Sequence, residues 1–87
     1  MGIINIMENF VDEKINSMLK DETDICQCER CLDDMKAIAL NRLPSKYVST
    51  HNGELFSKLD AMMRQNSVDI DIAATEAIHL VAKRPSH

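Results

Sequence analysis

Cys26, Cys28 and Cys31 are the three cysteines of this chain, and they form one Cys-x-Cys-x2-Cys cluster. Thiols grouped this closely can serve as metal thiolates or as redox groups, and an odd number cannot pair off completely as disulfides within one chain. Soft sulfur ligands on a short loop suit zinc, which favours tetrahedral thiolate and imidazole coordination. The fourth ligand is not written beside them; His51, Asp24, a water or a partner-chain group are the candidates. Nothing near the cluster looks like a general base, so the expected zinc is structural rather than catalytic. Two other readings stand beside it. The thiols could be small apolar side chains at a helix start, or an oxidant-sensing group that holds no metal.

A second group lies further along. Arg42, Lys46 and Tyr47, with Ser49, Thr50 and Asn52, are the one place where phosphate-binding donors and a flat ring coincide in this acidic sequence. Cations and hydroxyls suit phosphate oxygens, and aromatic or guanidinium planes suit bases. The plain alternative has Pro44 ending a helix, Tyr47 plugging the core, and Arg42 and Lys46 solvated. Asp33 and Asp34, Asp69 and Asp71, and Glu76 assemble no convincing acid–base pair, and Asp69 and Asp71 would serve a helix N-terminus instead. Glu76 and His79, three residues apart, read as a surface or core-edge pair. There is no glycine-rich phosphate loop, no usable Ser-His-Asp order and no His-Glu-x-x-His, so an enzyme is not expected.

Four helical segments must position these groups. Asn5-x-x-Glu8 has the form of a capping box, and Met7, Val11, Ile15 and Met18 follow at helical spacing. Lys20, Asp21, Glu22 and Asp24 end that helix. The second should begin inside the cysteine segment, with Cys26 in the loop or first turn and Cys28 and Cys31 on the helix. Leu32, Met35, Ala39 and Leu43 extend its apolar stripe until Pro44 forces a stop. Residues 44–53 form an irregular connector. A third helix is expected from about Glu54 to Gln65, with Leu55, Leu59, Met62 and Met63 inward. Ser67 is expected to cap a fourth. From Ile70 to Ala82 that last helix is apolar nearly all round, a pattern that suits burial against a second subunit.

The fold class this predicts is all-α: one small bundle of about four helices over residues 1–87, as a homodimer. A chain of 87 residues buries only about 60–65% of its unfolded surface, so a metal or a partner subunit would help it. Its core must come from Ile, Leu, Ala and six Met, since it has two Phe, one Tyr and no Trp. Two Gly and two Pro are too few for a turn-rich β-fold. A net charge of −4 disfavours DNA and anionic membranes as partners. No apolar run approaches the roughly 20 residues a membrane span needs, and residues 1–7 lack the form of a signal peptide. A reducing, cytoplasmic location is expected, where clustered cysteines more often bind metal than form bridges.

The order and spacing of these motifs resemble a known family. Asn41-Arg42-Leu43-Pro44-x-x-Tyr47, about ten residues after the cysteine cluster, is similar to the late competence development family, the ComFB-like proteins. Gly53-Glu54, Ala77-Ile78 and Pro85-Ser86-His87 fit it too, so the likeness runs from about Asn5 to His87. It implies a small helical domain, usually a homodimer, with zinc on Cys26, Cys28 and Cys31. A fourth family cysteine has no counterpart here. The resemblance also implies a receptor for a cyclic dinucleotide messenger of the cyclic di-GMP type, which would pass occupancy on to a downstream protein. Arg42, Lys46, Tyr47, Ser49, Thr50 and Asn52 would then meet its phosphates and bases. The alternative is a zinc-stabilised interaction module of a competence-type system that binds no nucleotide.

Overall fold

Asn5 starts the first helix as its sequence predicts. The computed structural model describes residues 2–51 and 53–85, and for Phe56 the backbone only. Helix α1 spans Ile6–Leu19, and the Asn5 side chain accepts from the Met7 backbone N–H at 3.2 Å. That bond satisfies one of the donors that every helix N-terminus leaves open. The buried stripe of α1 is Ile6, Met7, Phe10, Val11, Ile15 and Leu19. Met18, expected inward, is only partly buried, and Leu19 takes its place.

Helix α2 spans Glu29–Asn41 and buries Cys31, Met35 and Ala39. It ends two residues before the position Pro44 would dictate. Arg42 is its C-cap, with its backbone N–H on the carbonyls of Ala39 and Leu40, and Leu43 N–H bonds Leu40 at 3.2 Å. A tightened last turn of this kind supplies partners to otherwise orphaned carbonyls.

Two expectations fail in the second half. The connector is not wholly irregular, because Tyr47–Ser49 form a strand, β2, that pairs antiparallel with β1, Ile3–Asn5. The all-α expectation therefore gives way to three helices plus a two-stranded ribbon. Its register is Ile3 with Ser49, Ile4 with Val48 and Asn5 with Tyr47. Ile4 and Val48 turn inward onto Ile6, Met7, Phe10 and Ile70. Gly2, at φ +105, extends the ribbon in a conformation that side chains disfavour. There its amide donates to Thr50 Oγ1 at 2.9 Å, and its carbonyl accepts from Thr50 N–H at 2.7 Å.

The expected third and fourth helices are one, α3, spanning Leu55–Lys83. Ser67 does not cap anything. Its hydroxyl bonds the carbonyl of Arg64 at 3.2 Å, and the Asn66 amide bonds that of Met62 at 2.8 Å. These polar side chains fold back on the preceding turn, and no Gly or Pro interrupts the run. Asp69 and Asp71 thus sit in mid-helix, where Asp71 pairs with Lys14 of α1 at 2.8 Å. At ~1.5 Å per residue, α3 runs about 43 Å, the length of the molecule, whose long axis is 41 Å.

Helix α3 serves two buried clusters. Its C-terminal half (Ala73, Ala74, Ala77, Ile78, Val81) packs with Val11, Ile15, Leu19, Cys31, Met35 and Ala39. Its earlier turns place Leu59, Met62, Met63 and Ile70 against the start of α1 and the ribbon. The two clusters put the cysteines and the connector at opposite ends of α1.

Candidate metal centre and ligand connector

The cysteine loop is shaped by a residue that sequence reasoning passed over. Gln27 turns its side-chain amide back to the last turn of α1, donating to Leu19 O at 3.1 Å and Glu22 O at 3.0 Å. The Leu19 carbonyl also accepts from Glu22 N–H at 3.1 Å, so the amide adds a second donor at that helix end and ties the loop to the turn that follows it. The available signal was a lone amide side chain between two cysteines, just after a predicted helix end.

Cys26 and Cys28 therefore flank a fixed point. Cys28 is the N-cap of α2, with extended backbone (φ −68, ψ 165), and its carbonyl accepts the first helical bond from Leu32 N–H at 2.9 Å. It stands just outside the helix rather than on it. Cys31 is in the first turn and is fully buried against α1 and α3. Cys26 and Cys28 are partly exposed, and none of the three is in a disulfide. The three sulfur atoms all lie within 4.8 Å of one another.

This set can hold a metal ion such as zinc. A tetrahedral zinc with Zn–S bonds of about 2.3 Å would want sulfurs roughly 3.8 Å apart, so only small side-chain adjustments separate the two arrangements. Cys28 is already disposed toward the thiolate. The Cys31 backbone N–H lowers its pKa from the usual 9.0, helped by the Cys26 thiol, the Cys31 thiol and the Arg30 N–H, against opposing desolvation. Donors at a helix N-terminus stabilise negative charge in this way.

Among the described residues, no His, Asp, Glu or further Cys joins the cluster. His51 follows β2, beside the start of α1, whereas the cysteines follow its end. The intervening 14 residues of α1 put about 20 Å between them, so His51 of the same chain is ruled out as the fourth ligand. Asp24 is exposed on the turn before Ile25. His79 lines a hollow of about 250 Å³ with Leu19, Glu22, Ile25 and Ile78, and is not part of the three-sulfur group.

The expected ligand residues divide in two. Arg42 does not point into solvent: its guanidinium pairs with the Glu76 carboxylate of α3, where His79 was the expected neighbour of Glu76. Both line a groove of about 270 Å³ with Leu43, Pro44, Asp69, Ile72 and Ala73. None of Lys46, Tyr47, Ser49 and Thr50 lines it. Lys46 anchors the ribbon through its backbone: its N–H donates to Asn5 Oδ1 at 2.9 Å and its carbonyl accepts from Ile6 N–H at 2.8 Å. Tyr47 is 67% exposed and so does not plug the core. By strand alternation it shares the outer face with Ser49 and Ile3. Ser49 Oγ accepts from His51 N–H at 3.2 Å, and Thr50 is committed to Gly2. Asn52 lies outside the described residues, as does His87.

A small helical domain with a ribbon at one end and a thiol triad at the other defines the class of protein. The family model for the late competence development protein ComFB matches residues 4–85, and the chain belongs to that family. It is similar to the competence protein ComFB of Bacillus subtilis (strain 168), with 21% identity over 84 residues, covering 97% of this chain and 86% of the relative. The fold is similar to that of the structurally characterised late competence protein ComFB from Bacillus subtilis, with a TM-score of 0.76 and 21% identity over 97% of this chain and 92% of that one. No described helix is long and apolar enough to cross a membrane.

Proposed function

We propose that this chain is a non-enzymatic receptor for a cyclic dinucleotide of the cyclic di-GMP type, with a structural zinc on Cys26, Cys28 and Cys31. The observation that carries the ligand half is the exposed Tyr47 ring, 67% accessible, set on a ribbon pinned to α1 beside Lys46. A ring in solvent on a rigid strand offers a stacking surface for a purine, and Lys46 and Ser49 supply donors for phosphate. Arg42 joins them when a ligand phosphate takes it from Glu76. Because Arg42 bridges α2 to α3, that exchange would loosen one helix–helix tie and report occupancy to a downstream protein.

The groove at Arg42, about 270 Å³, falls below the ~300–1,000 Å³ of small-molecule sites. Two copies together would make a site large enough for a two-fold ligand. Val68, Ile72 and Leu80, exposed along α3 at 68%, 53% and 46%, give such a homodimer an apolar face. The radius of gyration, 13.8 Å, exceeds the roughly 12 Å of a compact monomer of this length. Titration calorimetry with cyclic di-GMP tests the reading. Binding by the wild type that weakens in Arg42→Ala and Tyr47→Ala supports it, and a wild type that evolves no binding heat overturns it.

The Arg42–Glu76 pair favours a second reading, in which the protein is a zinc-stabilised interaction module and the connector is purely structural. A ligand that binds only the native state raises the melting temperature. On this second reading chelation lowers it and nucleotide leaves it unchanged.

A further inference from the structure

The three sulfurs differ in reach although they lie within 4.8 Å of one another. Cys31 is fully buried against α1 and α3, while Cys26 and Cys28 are partly exposed, and none is in a disulfide. A reagent arriving from solvent therefore meets Cys26 or Cys28 before it can meet Cys31. An accessible thiol beside a shielded one is the arrangement that a two-step oxidation uses, in which one sulfur is struck and the other resolves it.

The backbone decides which two sulfurs join. Cys28 is the N-cap of α2, and Cys31 follows three residues on, in its first turn. Positions three apart around a helical turn are neighbours, inside the roughly 7 Å between Cα atoms that a disulfide spans. Cys-x-x-Cys pairs at helix starts are a common setting for such bonds. Cys26 is placed differently. Only Gln27 separates it from Cys28, and the Gln27 side chain is held to Leu19 O at 3.1 Å and Glu22 O at 3.0 Å. Closing Cys26 onto Cys28 would have to twist the chain at this anchored residue.

We propose that Cys28 is a site of oxidation by hydroperoxides and that Cys31 resolves it, so that a Cys28–Cys31 disulfide locks the start of α2. The Cys28 sulfur attacks one peroxide oxygen and the O–O bond breaks. The other oxygen leaves with the thiol proton as an alcohol, or as water from hydrogen peroxide, and Cys28 becomes a sulfenic acid. The Cys31 sulfur then attacks the Cys28 sulfur, the S–O bond breaks, and hydroxide departs with the Cys31 proton as water. The two thiols have given two electrons to the peroxide, and Cys26 keeps its thiol. The reaction draws on the sulfurs alone and rests on no metal; a zinc on the same thiolates would shield them until it left.

Hydrogen peroxide added to the reduced full-length chain, both as isolated and with a chelator present, tests this. In both samples the product should lose the mass of two hydrogens, sooner with the chelator where metal is bound. Peptide mapping after alkylation should place the bond between Cys28 and Cys31, with the alkyl group on Cys26. Cys26→Ser should form the same bond, and Cys31→Ser should stop at a Cys28 sulfenic acid that dimedone traps. The wild-type map decides the pairing, so a Cys31→Ser chain that misfolds leaves the test intact. A bond between Cys26 and Cys28, bonds between chains only, or three intact thiols in both samples would overturn the proposal.

Discussion

The guanidinium of Arg42, at the C-cap of α2, is ion-paired to the carboxylate of Glu76 in the middle of α3. Residues 34 apart in sequence are thereby joined across the groove that also holds Asp69 and Ile72. The side chains are 40% and 53% exposed, so solvent screens the pair and its contribution to stability is under about 1 kcal/mol. On the proposed receptor reading its weight in ligand binding would be larger, because Glu76 would compete with a ligand phosphate for the same guanidinium. Arg42→Ala is predicted to lower cyclic dinucleotide affinity by about tenfold, equal to ~1.4 kcal/mol, with little change in melting temperature. Glu76→Gln is predicted to raise affinity by removing the competitor. Calorimetry on both variants checks this; equal affinities in all three proteins would show that Arg42 does not touch ligand.

Asn5 holds two elements with one oxygen. Its Oδ1 accepts from Met7 N–H, capping α1, and from Lys46 N–H, fixing the start of β2. Asn5→Ala is predicted to cost about 1–2 kcal/mol, from the lost cap and the stranded Lys46 donor. For a domain of this size that lowers the melting temperature by roughly 4–8 °C per kcal/mol. Asn5→Asp keeps the acceptor and should recover most of the loss. Thermal denaturation of the two variants distinguishes capping from simple side-chain bulk. Hydrogen exchange at Thr50, whose N–H bonds Gly2, should quicken only in the alanine variant.

How far the sequence exposes the fold depends on how local each determinant is. The cap at Asn5, most of the α1 stripe, and Met35 and Ala39 of α2 follow from spacing within one or two turns and stand where spacing puts them. Met18, Leu32 and Leu43, by contrast, are only partly buried, and Cys28 lies at the N-cap rather than on the helix. The β1–β2 ribbon depends on pairing across more than forty residues, and each strand is only three residues long, too short for alternation to register. The Arg42–Glu76 pair is equally non-local, and Arg42 alone reads as a free cation. The side chain of Gln27 is fixed by the carbonyls of Leu19 and Glu22, which come together only once the end of α1 and its following turn have formed. Ser67 misled for a different reason. A serine before an apolar run is a cap only where the preceding residues are not already helical.

That last point can be measured. If Ser67 were an N-cap, Ser67→Ala would cost about 1 kcal/mol. Within a continuous helix alanine is the better residue, and Ser67 spends its hydroxyl on the Arg64 carbonyl. Ser67→Ala is therefore predicted to leave stability unchanged or raise it by up to roughly 0.5 kcal/mol. Ser67→Gly should lower it, by about 0.5 kcal/mol relative to the wild type. Urea denaturation of the pair decides the matter, and a clear loss in the alanine variant would argue for a break in α3 at that point.

Metal removal gives the last prediction, and pH sets the stability of the metal-free protein that remains. Zinc that binds only the folded chain stabilises it by RT ln(1 + [Zn]/Kd), about 4 kcal/mol at a thousandfold excess over Kd. A chelator should lower the melting temperature by that margin at neutral pH, and Cys31→Ser should abolish the difference. In the metal-free protein, the folded-state pKa of Cys28 lies below its usual 9.0, chiefly through the Cys31 backbone N–H. A thiol whose pKa is depressed by folding contributes stability that is complete above the unfolded value and fades as pH falls through the folded one. Apo-protein stability should therefore rise with pH over the interval below 9 and flatten above it, and Cys28→Ala should remove that slope. The same depression makes Cys28 a thiolate at lower pH than a free cysteine. Iodoacetamide should therefore modify it well before the buried Cys31, and zinc should suppress the reaction. Mass mapping of the alkylated chain checks the order, and alkylation of Cys31 ahead of Cys28 would contradict the assigned burial and polarisation of the triad.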